Sequence, residues 1–498
     1  MKIAVRVDGN AEIGIGHVLR CITLANKLDK YNIKCLFFVR NISKNLLEIL
    51  NAKFEVILLD RIDNMFNAAD EYSRWLGVNQ GFDAEEFIAL AKPGHFNGVV
   101  VDHYGLGYQW ERAVQDNFRF VLVLDDLANR EHICNLLVDQ SIGREASCYS
   151  SLVPQICTLL VGSKYALLRD EFSADLSQFK KQYDILINFG GADKDNYTEH
   201  VLGMLATYAN MYKYTIKIII GSDYPYILGL ERRIEELGLK FKLVKNPNNV
   251  AQEISECRIA IGAGGVSLLE RSALGVPSIV YAIADNQEHI CAEYDRQGLG
   301  AVIRKGEIDE HIKLASIIDT MLDPQMLSNR SLLNSDFVGA HGTDRVVANL
   351  LKEFELLTEV EATIEDTKFV YECRYEKTDT SLYVNSTVPS YEGHVYWFSK
   401  NLVKKDCVHI IFKCGVEKIG YIRLDREKSY YDLSIYVHTK YRSRGFAEIM
   451  LSKILDRIGN KKIRASVHVQ NEASLRVFLN CAFKIISKEQ NFVRLEYC

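Results

Sequence analysis

The chain has only 7 prolines among 498 residues, too few for a long disordered linker. It also lacks any apolar run near the ~18–20 residues that a helix needs to cross a bilayer. The longest candidates, such as Tyr214 to Gly221, have the length of a strand. The opening Met-Lys-Ile-Ala-Val-Arg-Val reads as a strand, not as a basic stretch leading into a long apolar core and a small-residue cleavage site, so a cytoplasmic location is expected. The 12 cysteines contain no C-x-x-C pair, and several have apolar neighbours, as with Cys35 before Leu-Phe-Phe and Cys407 before Val-His-Ile-Ile. Reduced, buried thiols are therefore expected, with neither a disulfide framework nor a zinc site. No repeat of solenoid length is visible, so the units of the chain are treated as distinct.

What is present is the composition of globular protein, 48% hydrophobic and 25% charged, in a chain too long for one core and long enough for about three units. The net charge of −5 conceals an asymmetry: residues 366–498 carry 23 Lys and Arg against 15 Asp and Glu, while residues 1–365 carry 37 against 50. The charge break marks a domain break. A basic module attracts nucleic acid or polyanionic small molecules, but no zinc spacing or aromatic-interleaved basic groove favours nucleic acid here.

Short β-branched runs at 2–7, 34–39, 54–59, 98–102 and 120–125 alternate with amphipathic stretches such as 17–30, the pattern of βαβ units around a parallel sheet. A second series begins after Lys181, with runs at 183–189, 214–220, 241–244, 259–261 and 278–281. Two Rossmann-like lobes are therefore expected over 1–165 and 166–356. The acidic stretch 357–368 reads as a connector. Beyond it antiparallel-looking strands at 409–413, 418–424 and 432–437, a helix at 444–458, a strand at 463–469 and a short helix from Glu472 predict an α+β module over 369–498.

The first strand runs into Asp8-Gly9-Asn10-Ala11-Glu12-Ile13-Gly14-Ile15-Gly16-His17-Val18-Leu19-Arg20-Cys21. A strand, then glycines, then a helix start lets the backbone approach an anion with unpaired N–H groups facing it. The spacing is G-x-G-H, not G-x-G-x-x-G. It sets His17 at the C-terminal end of the strands, where open sheets bind ligands, and the positive helix end favours a neutral imidazole able to take a proton from water. The stretch Arg6–Gly9 and Ile13–Cys21 resembles the opening of the nucleotide-sugar hydrolases of pseudaminic acid synthesis. Those enzymes release UDP from UDP-2,4-diacetamido-2,4,6-trideoxy-β-L-altropyranose and are related to the two-domain GT-B glycosyltransferases. The resemblance covers roughly residues 1–345. It implies that His17 is the general base and that Gly14, Gly16 and Arg20 line the substrate.

In the second lobe, Ile261-Gly262-Ala263-Gly264-Gly265-Val266-Ser267-Leu268-Leu269-Glu270 follows a strand and opens a helix. Glycines let the backbone crowd a diphosphate, Ser267 can donate to a phosphate oxygen, and the Glu270 carboxylate can accept both ribose hydroxyls. This resembles the UDP-binding segment of the GT-B relatives; Gly275 and Pro277 read as turn residues. Phe189-Gly190-Gly191-Ala192-Asp193 follows the first strand of this lobe, and its amides suit the cleft, with Asp193 open to an Asx turn or a ligand contact. The family's Asn-Gln pair implies that Asn286 and Gln287 contact the sugar. Asp102 and Tyr104 suit sugar hydroxyl or acetamido groups or a plain turn, while Asp125 and Asp126 read as a solvated or helix-capping pair. No metal is required by this reading.

Near the C-terminus, a strand ending at Val437 runs through His438-Thr439-Lys440-Tyr441-Arg442-Ser443-Arg444-Gly445-Phe446-Ala447 into a helix. The R-x-x-G-x-A amides form an anion nest suited to a pyrophosphate. This resembles the acetyl-CoA site of GCN5-related N-acetyltransferases, over residues 369–498, with Asn471-Glu472-Ala473-Ser474 and Cys481-Ala482-Phe483 matching a second motif. The resemblance implies acetyl-CoA held by Val437, Arg442, Arg444, Gly445, Phe446, Ala447, Asn471 and Ser474. Phe478 replaces the tyrosine that protonates the leaving thiolate in many members, and Ala482 replaces a glycine; Tyr441, Tyr436 and His468 are substitutes for the missing acid. The resemblances together imply a bifunctional enzyme that acetylates a UDP-4-amino sugar with acetyl-CoA and hydrolyses the UDP-diacetamido sugar with inversion. A GT-B glycosyltransferase acting on an acceptor, with a non-catalytic or differently targeted acetyltransferase module, is the alternative.

Overall fold

Strands buried on both faces should read as near-continuous apolar runs, and the first two thirds of the chain is built from such runs. The computed structural model describes every residue except 11, 62–70, 175–178, 192, 209–211, 223, 239, 284–286, 305–309, 377–379, 383–386, 460 and 498. It divides into two units, Met1–Thr343 and Asp344–Cys498.

The first unit holds two parallel sheets. One contains β1 (Lys2–Val7), β2 (Lys34–Val39), β3 (Glu55–Leu58), β4 (Gly98–Asp102), β5 (Val121–Leu124), β6 (Leu136–Asp139) and β7 (Thr158–Val161), in the order β3-β2-β1-β4-β5-β6-β7. The other contains β8 (Tyr183–Asn188), β9 (Ile216–Ile220), β10 (Phe241–Lys245), β11 (Cys257–Ala263), β12 (Ser278–Ala282) and β13 (Ala301–Arg304), in the order β10-β9-β8-β11-β12-β13. Strand order reverses between β1 and β4 and again between β8 and β11, and such reversals open a crevice at the carboxyl ends of the strands. Both glycine loops start there. β6, β7 and β13 extend the sheets beyond the expected strands; each has four residues, too short for a periodic signal.

The second unit is one mixed sheet of β14 (Leu357–Glu361), β15 (Cys407–Cys414), β16 (Glu417–Arg426), β17 (Tyr431–Val437), β18 (Ile463–His468), β19 (Lys484–Lys488) and β20 (Phe492–Tyr497), in the order β14-β15-β16-β17-β18-β20-β19. The expected connector at 357–368 is instead partly strand: β14 pairs antiparallel with β15, Val360 opposite Ile411. Its Leu357 is buried while Thr358, Glu359 and Glu361 sit at the sheet edge, which gives an edge strand the composition of a linker. Among the described residues of this sheet only β17 and β18 run parallel, and their ladder covers two residue pairs, Tyr431 with Ile463 and Asp432 with Arg464, before it ends.

A buried ion network fixes the first crevice. The Arg6 guanidinium, on β1, pairs with Asp8 at 2.8 Å and with Asp83 at 2.8 Å, all three fully buried. Asp8 also accepts the main-chain N–H groups of Arg40 and Asn41, and Asp83 accepts Trp110 Nε1 at 2.8 Å. The loops after β1 and β2 are thus tied to the helix Gln80–Ala91. Burial pushes both carboxyls up, but Arg6 outweighs it and holds them below the ordinary value of 3.8. A depressed folded-state value gives stability that is present above pH ~4 and is lost as pH falls below it. Arg6→Met leaves two carboxylates buried beside too little positive charge, and a loss of ~3–5 kcal/mol is expected in chemical denaturation. A loss under 1 kcal/mol would show that the network is not what holds these loops.

Candidate active sites

In the first lobe, Asn10 shapes the loop: its Oδ1 accepts from Glu12 N and Ile13 N, and its carbonyl accepts from Gly14 N. Gly14 takes φ of 89°, a left-handed conformation that suits glycine. The helix Gly16–Asp29 then begins with no side-chain cap at Ile15, and His17 lies in its first turn, 8% exposed.

His17 Nδ1 lies 2.5 Å from Asp102 Oδ1 at the end of β4. Arg20, one turn further along the helix, donates to the same carboxylate from Nε at 2.6 Å and from Nη2 at 2.7 Å. Burial would push Asp102 up, yet the Arg20 charge and the His17 contact hold it well below the usual carboxylate range. An ionised Asp102 can only accept, so Nδ1 carries a proton, and in the neutral imidazole the lone pair lies on Nε2. Arg20 Nη1 also binds Asp126, and Tyr104 donates to Asp126 Oδ2 at 3.1 Å while its ring meets His17 edge-on at 4.6 Å. Arg20 and Asp102 therefore hold each other and the imidazole.

The pair Asp125–Asp126 is neither solvated nor a helix cap. Asp125 is fully buried, accepting from Leu127 N, Ala128 N, Arg130 Nη1 and Tyr149 OH. Asp126 faces the cleft shared with Tyr104, Gln140, Ser141, Gly265 and Gln287.

The second lobe supplies the facing wall. Its glycines are sterically required: a Cβ at Gly262 would lie 2.0 Å from the Asn188 carbonyl oxygen, and one at Gly264 would lie 2.5 Å from Cys291 Sγ. Gly265 starts the helix Val266–Ala273 without a side-chain cap, leaving N–H groups at its first turn for an anion. A Cβ at Gly16 would be 3.8 Å from Val266, and one at Gly191 3.4 Å from Ile15, so the glycine loops of the two lobes adjoin. Ser267 is half-buried in that first turn. Glu270 lies on the same helix and accepts from Arg169 Nη2 at 3.1 Å; burial pushes its carboxyl up. Gly190 has φ of 92°. Gln287 turns its Oε1 onto Gly264 N at 3.2 Å and so supports the loop while lining the cleft. Asp193 caps the next helix through Tyr197 N and Thr198 N, which resolves it as a turn residue. Asn286 lies outside the described residues.

Arg271 gave no sequence signal. It is fully buried behind the loop, with Nη2 on the Ala263 carbonyl at 2.8 Å and Nε on Ser278 Oγ at 2.9 Å. Burial lowers it to about 10, so it remains a cation at neutral pH.

In the second unit, β17 passes through the turn Thr439–Tyr441 to Ser443 and Gly445, both left-handed at φ of 62° and 84°, and the helix Phe446–Ile458 starts with no side-chain cap. These two conformations aim successive N–H groups at one spot, the feature a pyrophosphate needs, and the parted strands β17 and β18 lie beside it. Arg442 donates to the carbonyls of Val437 and Cys373 and so fastens the turn. Arg444 pairs with Asp344 at 3.4 Å. The Phe446 ring is buried, so only its main chain, with that of Ala447, can meet a ligand. Asn471 caps the helix Glu472–Asn480 by accepting from Ser474 N at 3.1 Å. Phe478 is buried against Phe483 at 5.0 Å. Ala482 has φ of 64°, which explains a glycine in that place elsewhere. Tyr441 donates its hydroxyl to Glu417 at 2.6 Å, His468 Nδ1 accepts from Gln470 N, and Tyr436 stacks on Tyr421 at 6.1 Å.

Residues 371–483 match the acetyltransferase (GNAT) family, whose members use acetyl-CoA as donor. An uncharacterized protein of Methanocaldococcus jannaschii is 23% identical over 98% of each chain, so the same span of sequence recurs there. The UDP-2,4-diacetamido-2,4,6-trideoxy-beta-L-altropyranose hydrolase of Campylobacter jejuni is 25% identical over 51% of this chain and 82% of its own. MurG of Acinetobacter baumannii superposes on 71% of this chain and 100% of its own, with a TM-score of 0.50 and 13% identity, which establishes the GT-B-like fold. The chain joins a GT-B-like unit, similar to the hydrolase, to a GNAT domain.

The His17 tautomer is open to direct observation. With ¹⁵N-labelled histidine, long-range correlations are expected to report His17 protonated at Nδ1 in the wild-type chain, and Asp102→Asn is expected to remove that preference. An unchanged spectrum in the variant would separate Asp102 from the imidazole.

Proposed function

We propose that the chain is a sugar-modifying enzyme with two activities: hydrolysis of UDP-2,4-diacetamido-2,4,6-trideoxy-β-L-altropyranose to free sugar and UDP, and acetyl-CoA-dependent acetylation of the UDP-4-amino sugar that precedes it. The observation that carries the reading is the Asp102–His17 pair with its open Nε2, set at loops that adjoin an uncapped, glycine-built helix start in the facing lobe.

UDP leaves readily, so the work of the site is positioning and proton removal. The amides at Gly265 and Val266 hold the diphosphate, Ser267 donates to a phosphate oxygen and Glu270 accepts from the ribose. A water on the opposite face of the anomeric carbon gives a proton to His17 Nε2 while its oxygen bonds to that carbon. The bond from the carbon to the UDP oxygen breaks, and the electron pair departs with UDP, so configuration inverts. Asp102 stabilises the imidazolium formed in this step, and the helix start together with buried Arg271 stabilises the charge gathering on the diphosphate.

In the second unit, acetyl-CoA supplies an activated acetyl group for transfer to the sugar amine. The turn Ser443–Ala447 receives its pyrophosphate. Phe478 has no proton to give, and Tyr441 is engaged with Glu417, so the departing thiolate draws its proton from another donor.

Full-length protein incubated with the UDP-diacetamido sugar and no acceptor should release sugar and UDP in equal amounts. His17→Asn should lower turnover by ~10²–10⁴ while UDP affinity stays the same. Absence of free sugar would favour transfer to an acceptor, and unchanged turnover in the variant would remove His17 from the reaction. Mass spectrometry after supplying the UDP-4-amino sugar and acetyl-CoA should detect the added acetyl group.

A further inference from the structure

The interlobe cleft contains two buried polar atoms that the hydrolytic reaction leaves unused. Asp126 is bound on one side only: Arg20 Nη1 and Tyr104 OH both engage Oδ2, while Oδ1 has no hydrogen-bond partner among the described residues. Ser141, just beyond the end of β6 and 3% exposed, likewise forms no hydrogen bond of good geometry at its Oγ, with the Asp139 carboxylate beside it. Both residues line the cleft that Gly265 and Val266 close from the second lobe, at the helix start assigned to the diphosphate. A buried carboxylate oxygen without a donor is costly and rare in a folded protein, and a ligand that brings one removes the cost.

The rest of the lining narrows the ligand further. Leu127 and Ile142 flank these two atoms in sequence, and Leu269 and Ile290 line the same cleft from the other lobe. The cleft thus offers a strong acceptor, a hydroxyl able to donate, and an apolar surface. An acetamido group has the matching parts: an N–H, a carbonyl and a methyl. A bare hydroxyl can meet both polar atoms but leaves the apolar surface unfilled.

We infer that Asp126 and Ser141 form the subsite that reads an acetamido substituent of the sugar, an inference that rests on the nucleotide-sugar reading above. Asp126 Oδ1 accepts the amide N–H, Ser141 Oγ donates to the amide carbonyl, and the apolar side chains receive the methyl group. Arg20 then has two tasks, since it holds Asp102 for His17 and turns Asp126 so that one oxygen faces the sugar. The residue that sets the imidazole and the residue that reads the substituent are coupled through one guanidinium.

The test is calorimetric binding of UDP and of UDP-2,4-diacetamido-2,4,6-trideoxy-β-L-altropyranose to the full-length chain carrying His17→Asn, which suppresses turnover. The sugar is expected to improve affinity at least ~10-fold over UDP alone. Adding Ser141→Ala should cut that advantage ~5–10-fold. Adding Asp126→Asn should abolish it, because Arg20 and Tyr104 keep the asparagine oxygen at the Oδ2 position and turn its NH₂ toward the amide N–H. In both, UDP affinity should stay that of the parent. Variants that retain the full advantage, or a parent that binds UDP and the UDP-sugar equally, overturn the subsite and leave nucleotide binding standing. A parent that binds neither overturns the nucleotide-sugar reading, and the subsite with it.

Discussion

The chemistry of the first unit depends on one carboxylate kept charged where burial opposes charge. Asp102 is wholly enclosed and would be neutral without a cation; the Arg20 fork supplies the cation and also fixes the orientation. A neutral Asp102 could donate to Nδ1 or accept from it, whereas an ionised one only accepts and so dictates which ring nitrogen carries the proton. Arg20 and His17 are one turn apart on the same helix. Their spacing is therefore set by helix geometry, and the aspartate needs to match only one rigid ledge. Breaking such a triad by removing one partner costs more than the pair contributes, because the others stay buried.

Around this centre, helix starts are treated in two ways. Side chains close the orphan N–H groups at Ser43, Asn79, Asn249, Asp323, Ser390 and Asn471, whereas the starts at Gly107 and Tyr226 are left without a side-chain cap. The starts at Ile15, Gly265 and Gly445, each reached through glycines, have no such closure. An unclosed start facing a cleft favours negative charge, and the same backbone device recurs in both units. The glycines are also required by the packing, as the 2.0 Å approach at Gly262 demonstrates.

How far the sequence disclosed this structure depended on the reach of each signal. Runs such as Val99–Val100–Val101 and Ile218–Ile219–Ile220 declare buried parallel strands because both faces are apolar. β14 escaped because an edge strand with Thr358, Glu359 and Glu361 has the polarity of a linker, and the short edge strands β7 and β13 escaped for want of length. At the site, G-x-G-H was legible because the loop, helix start and histidine are contiguous. Asp126 was misread as solvated because what fixes it, Arg20, is 106 residues away and no local pattern encodes that meeting. Arg271 was silent for the same reason: a charged residue on a helix reads as surface until the fold encloses it. Phe478 was legible as a departure, and its burial against Phe483 accounts for it as core.

The brief parallel ladder between β17 and β18 has a consequence for selection among thioesters. Once the two strands separate, alternate residues of 433–437 present their N–H and C=O groups along a gap where a neighbouring strand would otherwise sit, the others being turned to β16. A flexible arm studded with secondary amides can zip into that gap as a surrogate strand, whereas a short alkyl thioester has nothing to offer it.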